Sequence, residues 1–259
     1  MNPRTVLAAY DEQIRRNPSP ETPAGYVERE DGVVRVLTPG GWSGVTWCGI
    51  ESEDADRVIA AQLRRFSGWP GPWEWKHHSH DRPADLPGRL LAAGFVTHPP
   101  ETLLVAETAE IACDATPPPG VEFQAVEDEG DVAALVSVHN QVFGGDHSAL
   151  GRIVAAGLTA HPRPLEAVVA LAGRTPIAAG RVEFHAGTDF ASLWGGGTLP
   201  EWRSRGVFRA LVARRAGLAA DRGFRYLQVD ASPESRPILR RLGFAELAVT
   251  TPFTHPGGG

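Results

Sequence analysis

The residues with the clearest capacity for chemistry are Arg203-Ser204-Arg205-Gly206-Val207, preceded by Pro200-Glu201-Trp202 and followed by Phe208. The apolar run Phe190 to Leu199 reads as a strand that ends in glycines, and Gly206 to Arg222 reads as a long helix. Arg203 to Gly206 therefore lies where a strand hands over to a helix. The first turn of a helix has unpaired N–H groups and the positive end of the helix dipole, which together suit an anion. Gly206 lets a bulky phosphate approach the backbone without a Cβ in the way. Arg203 and Arg205 can add charge-assisted bonds. Pro200 prevents regular strand pairing and helps the chain splay. These features predict a phosphate-binding turn.

The elements that must position this turn read as follows. In the first half, Thr5 to Arg16 and Ser52 to Phe66 have helical apolar spacing, with Ser52 as the expected cap of the second, and Pro87 to Ala93 is a third helix ended by Gly94. Strands are expected over Gly32 to Leu37, Gly44 to Ile50, Trp73 to His77 and Glu101 to Ala106. The run Thr116-Pro117-Pro118-Pro119-Gly120 continues neither a helix nor a central strand. The expected domains are 1–109, a stiff proline-rich linker at 110–119, and 120–259. The second half alternates cleanly: strand Val121 to Ala125, helices Glu127 to Phe143 and Ser148 to Leu158, and the strand pair Leu165 to Leu171 and Pro176 to Phe184. The strand and helix already named follow, then strand Tyr226 to Ala231, helix Glu234 to Leu242 and strand Leu247 to Thr254. This is an α/β chain with a mixed, α+β-type sheet.

Composition narrows the function. The chain has 259 residues, 42% of them hydrophobic, and a net charge of -6, which argues against nucleic acid as the main partner. Lys76 is the only lysine, so basic chemistry rests on arginine. Cys48 and Cys113 have no metal spacing and read as free thiols of a reducing cytosol. The N-terminus lacks the apolar core of a signal peptide, and no run approaches the roughly 20 apolar residues of a membrane span. A cytoplasmic protein is expected. His77, His78 and His80 cluster, but not with the spacing of a tetrahedral site, and no metal is expected. Trp42, Trp47, Trp69, Trp73 and Trp75 either fill the core or line a pocket.

Leu199 to Leu211 resembles the acetyl-CoA motif of the GNAT superfamily of N-acetyltransferases, which runs Arg/Gln-x-x-Gly-x-Gly/Ala after a strand. Leu227 to Gly243-Phe244 resembles the family's second motif, which closes on Gly-Phe, at the correct separation. The resemblance covers about residues 120 to 255. It implies a GNAT fold in the C-terminal half and acetyl-CoA as cosubstrate. Backbone groups of Gly196, Gly197, Thr198 and Leu199 would pair with the pantetheine arm. Arg203, Ser204, Arg205, Gly206, Val207 and Phe208 would hold the pyrophosphate. Ser232 stands at the position of the family's asparagine. Two departures matter: Phe208 replaces the usual Gly or Ala, and Leu239 occupies the position of the tyrosine that protonates the leaving thiolate.

The implied activity is direct transfer of an acetyl group to a small-molecule amine or peptide in a ternary complex, because no cysteine is placed to carry the group. Amine acetylation needs a base. Glu183, on the strand before Phe190, is the first candidate, and Glu201 beside the turn the second. Asp189, Asp230, His185 and His255 follow. Each has an ordinary alternative: Glu183 a solvated strand residue, Glu201 a first-turn carboxylate, Asp230 a helix cap. The missing tyrosine leaves open a non-catalytic acyl-CoA-binding regulatory module. Oligomeric state is open.

The first half echoes the second. Trp73 to His78, then Leu86 to Gly94-Phe95, matches Tyr226 to Val229, then Ile238 to Gly243-Phe244. No Arg-x-x-Gly turn precedes the first copy. Ile50-Glu51-Ser52-Glu53-Asp54 stands there instead, and its carboxylates would repel a pyrophosphate. The expected architecture is a tandem with a degenerate GNAT-like N-terminal domain that holds no cofactor.

Overall fold

Strands β1 (Tyr26–Glu30), β2 (Val33–Leu37), β3 (Gly44–Cys48) and β4 (Trp73–His78) follow two antiparallel steps and one parallel step. Strands β8 (Leu165–Ala172), β9 (Thr175–Phe184), β10 (Phe190–Thr198) and β11 (Tyr226–Ala231) repeat that sequence of steps. The repeat extends to the helices. Between β3 and β4 runs α2 (Ala55–Phe66), and between β10 and β11 runs α7 (Val207–Asp221). After β4 comes α3 (Leu86–Ala92) and after β11 comes α8 (Arg236–Arg241), each with proline in its first turn. Both end the same way. Gly94 and Gly243 take positive φ, and the buried Phe95 and Phe244 return N–H bonds to Leu90 and Leu239. Only glycine enters this conformation without a Cβ penalty, and the phenylalanine supplies the apolar contact that closes the helix. The computed structural model describes residues 1–20, 22, 24–111 and 116–257.

The chain packs as two units. The larger holds Met1, Leu104–Val229 and Glu234–Glu246; the smaller holds Asn2–Leu103, Asp230–Pro233 and Leu247–Gly259. The smaller unit thus takes chain from both ends, where one boundary at 110–119 was expected. The cause is pairing: β12 (Ala245–His255) runs antiparallel to β4 from Thr250↔His78 to His255↔Trp73, and also pairs the short β5 (Val96–Thr97), which β6 (Glu101–Glu107) follows in the chain. Its Phe253 is buried in the same core as Phe66, Trp73, Trp75 and Phe95. Phe66 stacks on Trp73 with ring centroids 4.1 Å apart, and Phe95 meets Trp73 edge-on at 5.0 Å. Trp73 and Trp75 are thus core residues, and each such burial contributes about 2–3 kcal/mol.

In the larger unit, β7 (Val121–Ala125) pairs β8, and the sheet continues through β9 and β10 to β11. Helices α5 (Glu129–Phe143) and α6 (Ser148–Thr159) cover one face, where Leu135, Val138 and Val154 pack on Ala167, Val169 and Ala179. On the other face Val207 and Leu211 of α7 pack on Val168, Ala170 and Ala178. The alternation of Ala167 and Val169 against Val168 and Ala170 is the period-two signature of a strand buried on both sides.

Several expectations shift at element edges. The cap of α2 is Asp54, without a side-chain bond; Ser52 Oγ accepts from Arg89 instead. Residues 11–15 continue α1 (Pro3–Tyr10) as a π-turn, and α4 (Thr108–Ile111) precedes the proline run. Strands β1 and β5 had no clear apolar alternation, and their side chains are largely exposed.

Candidate functional site

β10 is built to come apart from its neighbour. Its parallel ladder with β11 has the pairs Phe190↔Tyr226, Ala191↔Leu227 and Ser192↔Gln228, yet β10 runs on to Thr198. Beyond Ser192 no ladder pair with β11 follows among the described residues, and two carbonyls of the stretch are met by arginines, Trp194 O by Arg215 and Thr198 O by Arg203. On its other side the register to β9 shifts. Trp194 pairs with Arg181 and Gly197 with Ala179, so Gly195 and Gly196 both stand opposite Gly180. Such a bulge bends and twists a strand. Gly195 takes φ +57, which suits glycine.

The glycines are also required by packing. A Cβ on Gly195 would collide with the His139 ring. One on Gly196 would stand 2.9 Å from Arg215 Nη2 and 3.3 Å from Phe208 Cε2, and one on Gly197 2.8 Å from Val142 Cγ1. Phe208 thereby finds its place: its half-buried ring lies against Gly196.

Beyond Thr198 the chain makes a 3₁₀ turn at Pro200–Trp202 and enters the turn singled out in the sequence. Ser204 at φ 60 and Gly206 at φ 83 bracket Arg205. Alternation of this kind curves successive N–H groups into a concavity that receives anions. Gly206 is the N-cap of α7 and makes no side-chain cap bond. The first-turn N–H groups therefore remain for an incoming anion. Residues 203–206 are all exposed. Arg203 Nε donates to Thr198 O at 3.1 Å, so this arginine ties the turn back to β10 with the rest of its guanidinium outward. Arg205 lies over the Trp202 ring at 4.9 Å. Thr198 Oγ1 is buried with no hydrogen-bond partner among the described residues.

Polar side chains crowd both faces of β10. Arg215 is fully buried and donates to the carbonyls of Leu211, Arg181 and Trp194 at 3.2–3.4 Å, with no carboxylate paired to it among the described residues. Burial, aided by the charge of Arg181, pushes its pKa down to about 9. On the opposite face His139 bonds Leu135 O through Nδ1 at 2.9 Å, and its ring lies against the Gly195 backbone. Burial holds its pKa below the ordinary histidine value. At the last pair of the ladder, Ser192 Oγ lies 2.5 Å from His185 Nε2 and accepts from Gln228 Nε2.

The expected bases scatter. Glu183 is half-buried and engaged by Arg181 Nε at 2.6 Å. Glu201 is exposed on the 3₁₀ turn. Asp189 precedes β10, and its carbonyl accepts from Tyr226 N. Asp230 is no helix cap: it forms a buried ion pair with Lys76 and accepts from Thr250 Oγ1 within the smaller unit. His255, also there, contacts the Trp73 and Phe95 rings. Ser232 lies in the stretch 230–233 of that same unit. Leu239 is buried and provides no hydroxyl. His80 binds Asp11 at 2.9 Å, and His78 is buried. Cys48 is a buried free thiol pushed up to about 12 by burial, and Cys113 falls outside the described residues.

Sequence reasoning missed Ser192, Gln228, His139 and Arg215. Two had a signal. Arg215 follows Val207 and Leu211 at helical spacing, and His139 follows Leu135, so each puts a polar group on an apolar stripe.

No protein-family model matches the sequence, and no curated protein does. Solved structures match over nearly the whole chain. A GCN5-related N-acetyltransferase from Kribbella flavida has a TM-score of 0.70 at 18% identity, covering 98% of this chain and 95% of that one. A tandem GNAT protein from the clavulanic acid biosynthesis pathway has a TM-score of 0.60 at 13% identity, covering 93% and 85%. A GCN5-related N-acetyltransferase from Sphaerobacter thermophilus has a TM-score of 0.54 at 13% identity, covering 87% and 80%. The chain has the GNAT fold in tandem form. No helix among the described residues is long and apolar enough to cross a membrane.

Proposed function

We propose that the larger unit binds acetyl-CoA and transfers its acetyl group to the amine of a small molecule or peptide within a ternary complex. The observation that carries this reading is the continuity of the open edge of β10 with the turn at Ser204 and Gly206. A ligand with a polar arm and a diphosphate meets the stretch of β10 beyond its ladder with β11 first and an anion concavity next. In this reading Gly197, Thr198 and Leu199 pair with the pantetheine arm, and the orphaned Thr198 Oγ1 gains a partner. The N–H groups of Arg205, Gly206, Val207 and Phe208 take the pyrophosphate, with Arg203 and Ser204 beside them. Ser232 is a further contact proposed from the motif match alone. The smaller unit has Glu51, Glu53 and Asp54 where the turn would be, and holds no cofactor in this reading.

Transfer requires the amine nitrogen to attack the thioester carbon as its proton leaves. Glu183 remains a candidate base only if substrate displaces it from Arg181. Glu201 is a weaker one, since its exposure fits a first-turn carboxylate. Isothermal titration with acetyl-CoA tests the reading: binding is expected, and Gly206→Glu abolishes it by adding a like charge at strained φ. No binding by the wild type would end the proposal. The buried Leu239, with no hydroxyl to protonate a thiolate, favours a second reading, a non-catalytic acyl-CoA-binding regulatory module. Thiol release across a panel of amines separates the two.

A further inference from the structure

The turn proposed to hold the diphosphate has a conformation that its own residues do not enforce. Ser204 carries a Cβ yet takes φ 60, and Gly206 takes φ 83. A left-handed serine persists only where its surroundings over-determine it. Yet residues 203–206 are all exposed. One restraint is the bond from Arg203 Nε to Thr198 O, on the β10 side. The other comes from the proline run. Among the described residues, and apart from the chain neighbours of Gly206, the atom nearest to a Cβ built on that glycine is Pro118 Cγ, at 3.7 Å. The Pro118 ring thus covers the side of the turn that a side chain would take.

Pro118 is itself fixed. Val121 N donates to Pro118 O at 3.0 Å, and Gly120 takes φ 77 directly after Pro119, the pattern of a type II turn. Val121 is buried in one apolar cluster with Val207, the first residue of α7, and Trp202 packs on that cluster from the 3₁₀ turn. Arg205 lies over the same indole at 4.9 Å. The proline corner and the anion turn therefore stand on common packing. We propose that Pro118 is a positioning residue that braces the anion turn, so that the proline run belongs to the cofactor site and is more than a spacer; the proposal rests on the acetyl-CoA reading above. Proline suits this task. Its φ is fixed and it has little freedom to lose on folding, so it can hold Gly206 without any bond to the ligand. A concavity shaped before the anion arrives spares the cost of ordering it on binding. Linkage makes the effect reciprocal: whatever the brace adds to anion affinity, a bound anion returns to the corner Pro118–Val121 as stability.

The test pairs hydrogen exchange with calorimetry on the full chain, with CoA and inorganic pyrophosphate as probes. In the wild type, saturating CoA is expected to slow exchange of the Val121 amide at least about threefold. Pro118→Ala removes Cγ. It is expected to weaken CoA and pyrophosphate by the same factor, at least about fivefold, with the urea midpoint unchanged. A Val121 amide indifferent to bound CoA, or a folded Pro118→Ala with wild-type affinity, would overturn the brace. So would a loss of affinity for CoA alone, which would make Pro118 a contact of the rest of the ligand. The wild-type exchange needs no variant, so poor folding of Pro118→Ala leaves the test intact. Absence of CoA binding to the wild type would instead strike the acetyl-CoA reading. The brace is then read from the ligand-free amide signals of Ser204 and Gly206. Pro118→Ala shifts both when the ring holds the turn, and unchanged signals would sink the proposal.

Discussion

Gly196 and Arg215 occupy each other's space: a Cβ on Gly196 would stand 2.9 Å from Nη2 of the buried guanidinium. That guanidinium cannot swing away cheaply, because three carbonyls hold it. Gly196→Ala should therefore destabilise the larger unit by about 1–3 kcal/mol, the usual range for overpacking. Urea unfolding would register a lower midpoint. An unchanged midpoint would mean that the bulge yields more easily than its packing implies.

Arg215 itself invites the opposite substitution. A buried cation without a carboxylate is costly, and apolar replacement of buried charge is often neutral or stabilising by 1–4 kcal/mol. Arg215→Met fills similar volume but strands three carbonyls, so stability is expected to change little. Under the acetyl-CoA reading proposed above, the cation would also attract the anionic ligand at the same strand. Its loss should weaken acetyl-CoA binding by roughly 1 kcal/mol, the scale of a charge interaction through a protein interior. Calorimetry of Arg215→Met and Arg215→Lys checks this. A marked loss of stability with intact affinity would make Arg215 purely structural.

Glu101 gives a pH dependence. Burial, reinforced by the negative charges of Asp230 and Glu74, raises its pKa from 4.5 to about 7. The folded state therefore holds this proton more tightly than the unfolded chain. The stabilisation is complete below pH 4.5 and is lost as pH rises through about 7, a loss of the order of 3 kcal/mol. His78 works the other way. Burial lowers its pKa well below 6.5, so it favours the unfolded chain only as pH falls under that value. The difference between wild type and Glu101→Gln isolates the first effect. It should decline between pH 4.5 and 7 in denaturant titrations, and a flat difference would refute it.

Helical and strand periodicity made the second half legible almost residue by residue, because each element there buries one or two well-defined faces. Val121 to Ala125 is the expected strand, and Arg203 to Gly206 is the expected turn. The turn was readable because its chemistry is local: a strand end, a glycine and a helix start in succession. Ser192 and Gln228 were not readable. They meet only through a parallel ladder between strands 36 residues apart, and nothing in either segment marks it. Asp230 failed for the same reason. Its local position at the end of β11 suggests a cap, while its partner Lys76 comes from 154 residues upstream.

The last strand carries the largest consequence of such distant pairing. Phe253 lies near the C-terminus, yet it is 3% exposed in the core built by Phe66, Trp73, Trp75 and Phe95. Removing a buried phenylalanine costs about 3–5 kcal/mol. Phe253→Ala should therefore weaken the unit formed mainly by residues 2–103, not the larger unit that precedes it in the chain. Hydrogen exchange resolves the two. Amides of β4 and β5, which pair with β12, should lose protection, while those of β8 and β9 keep theirs. If exchange instead rises in β8 and β9 and stays slow in β4, the C-terminal strand belongs with residues 120 onward, as a single boundary at the proline run would require.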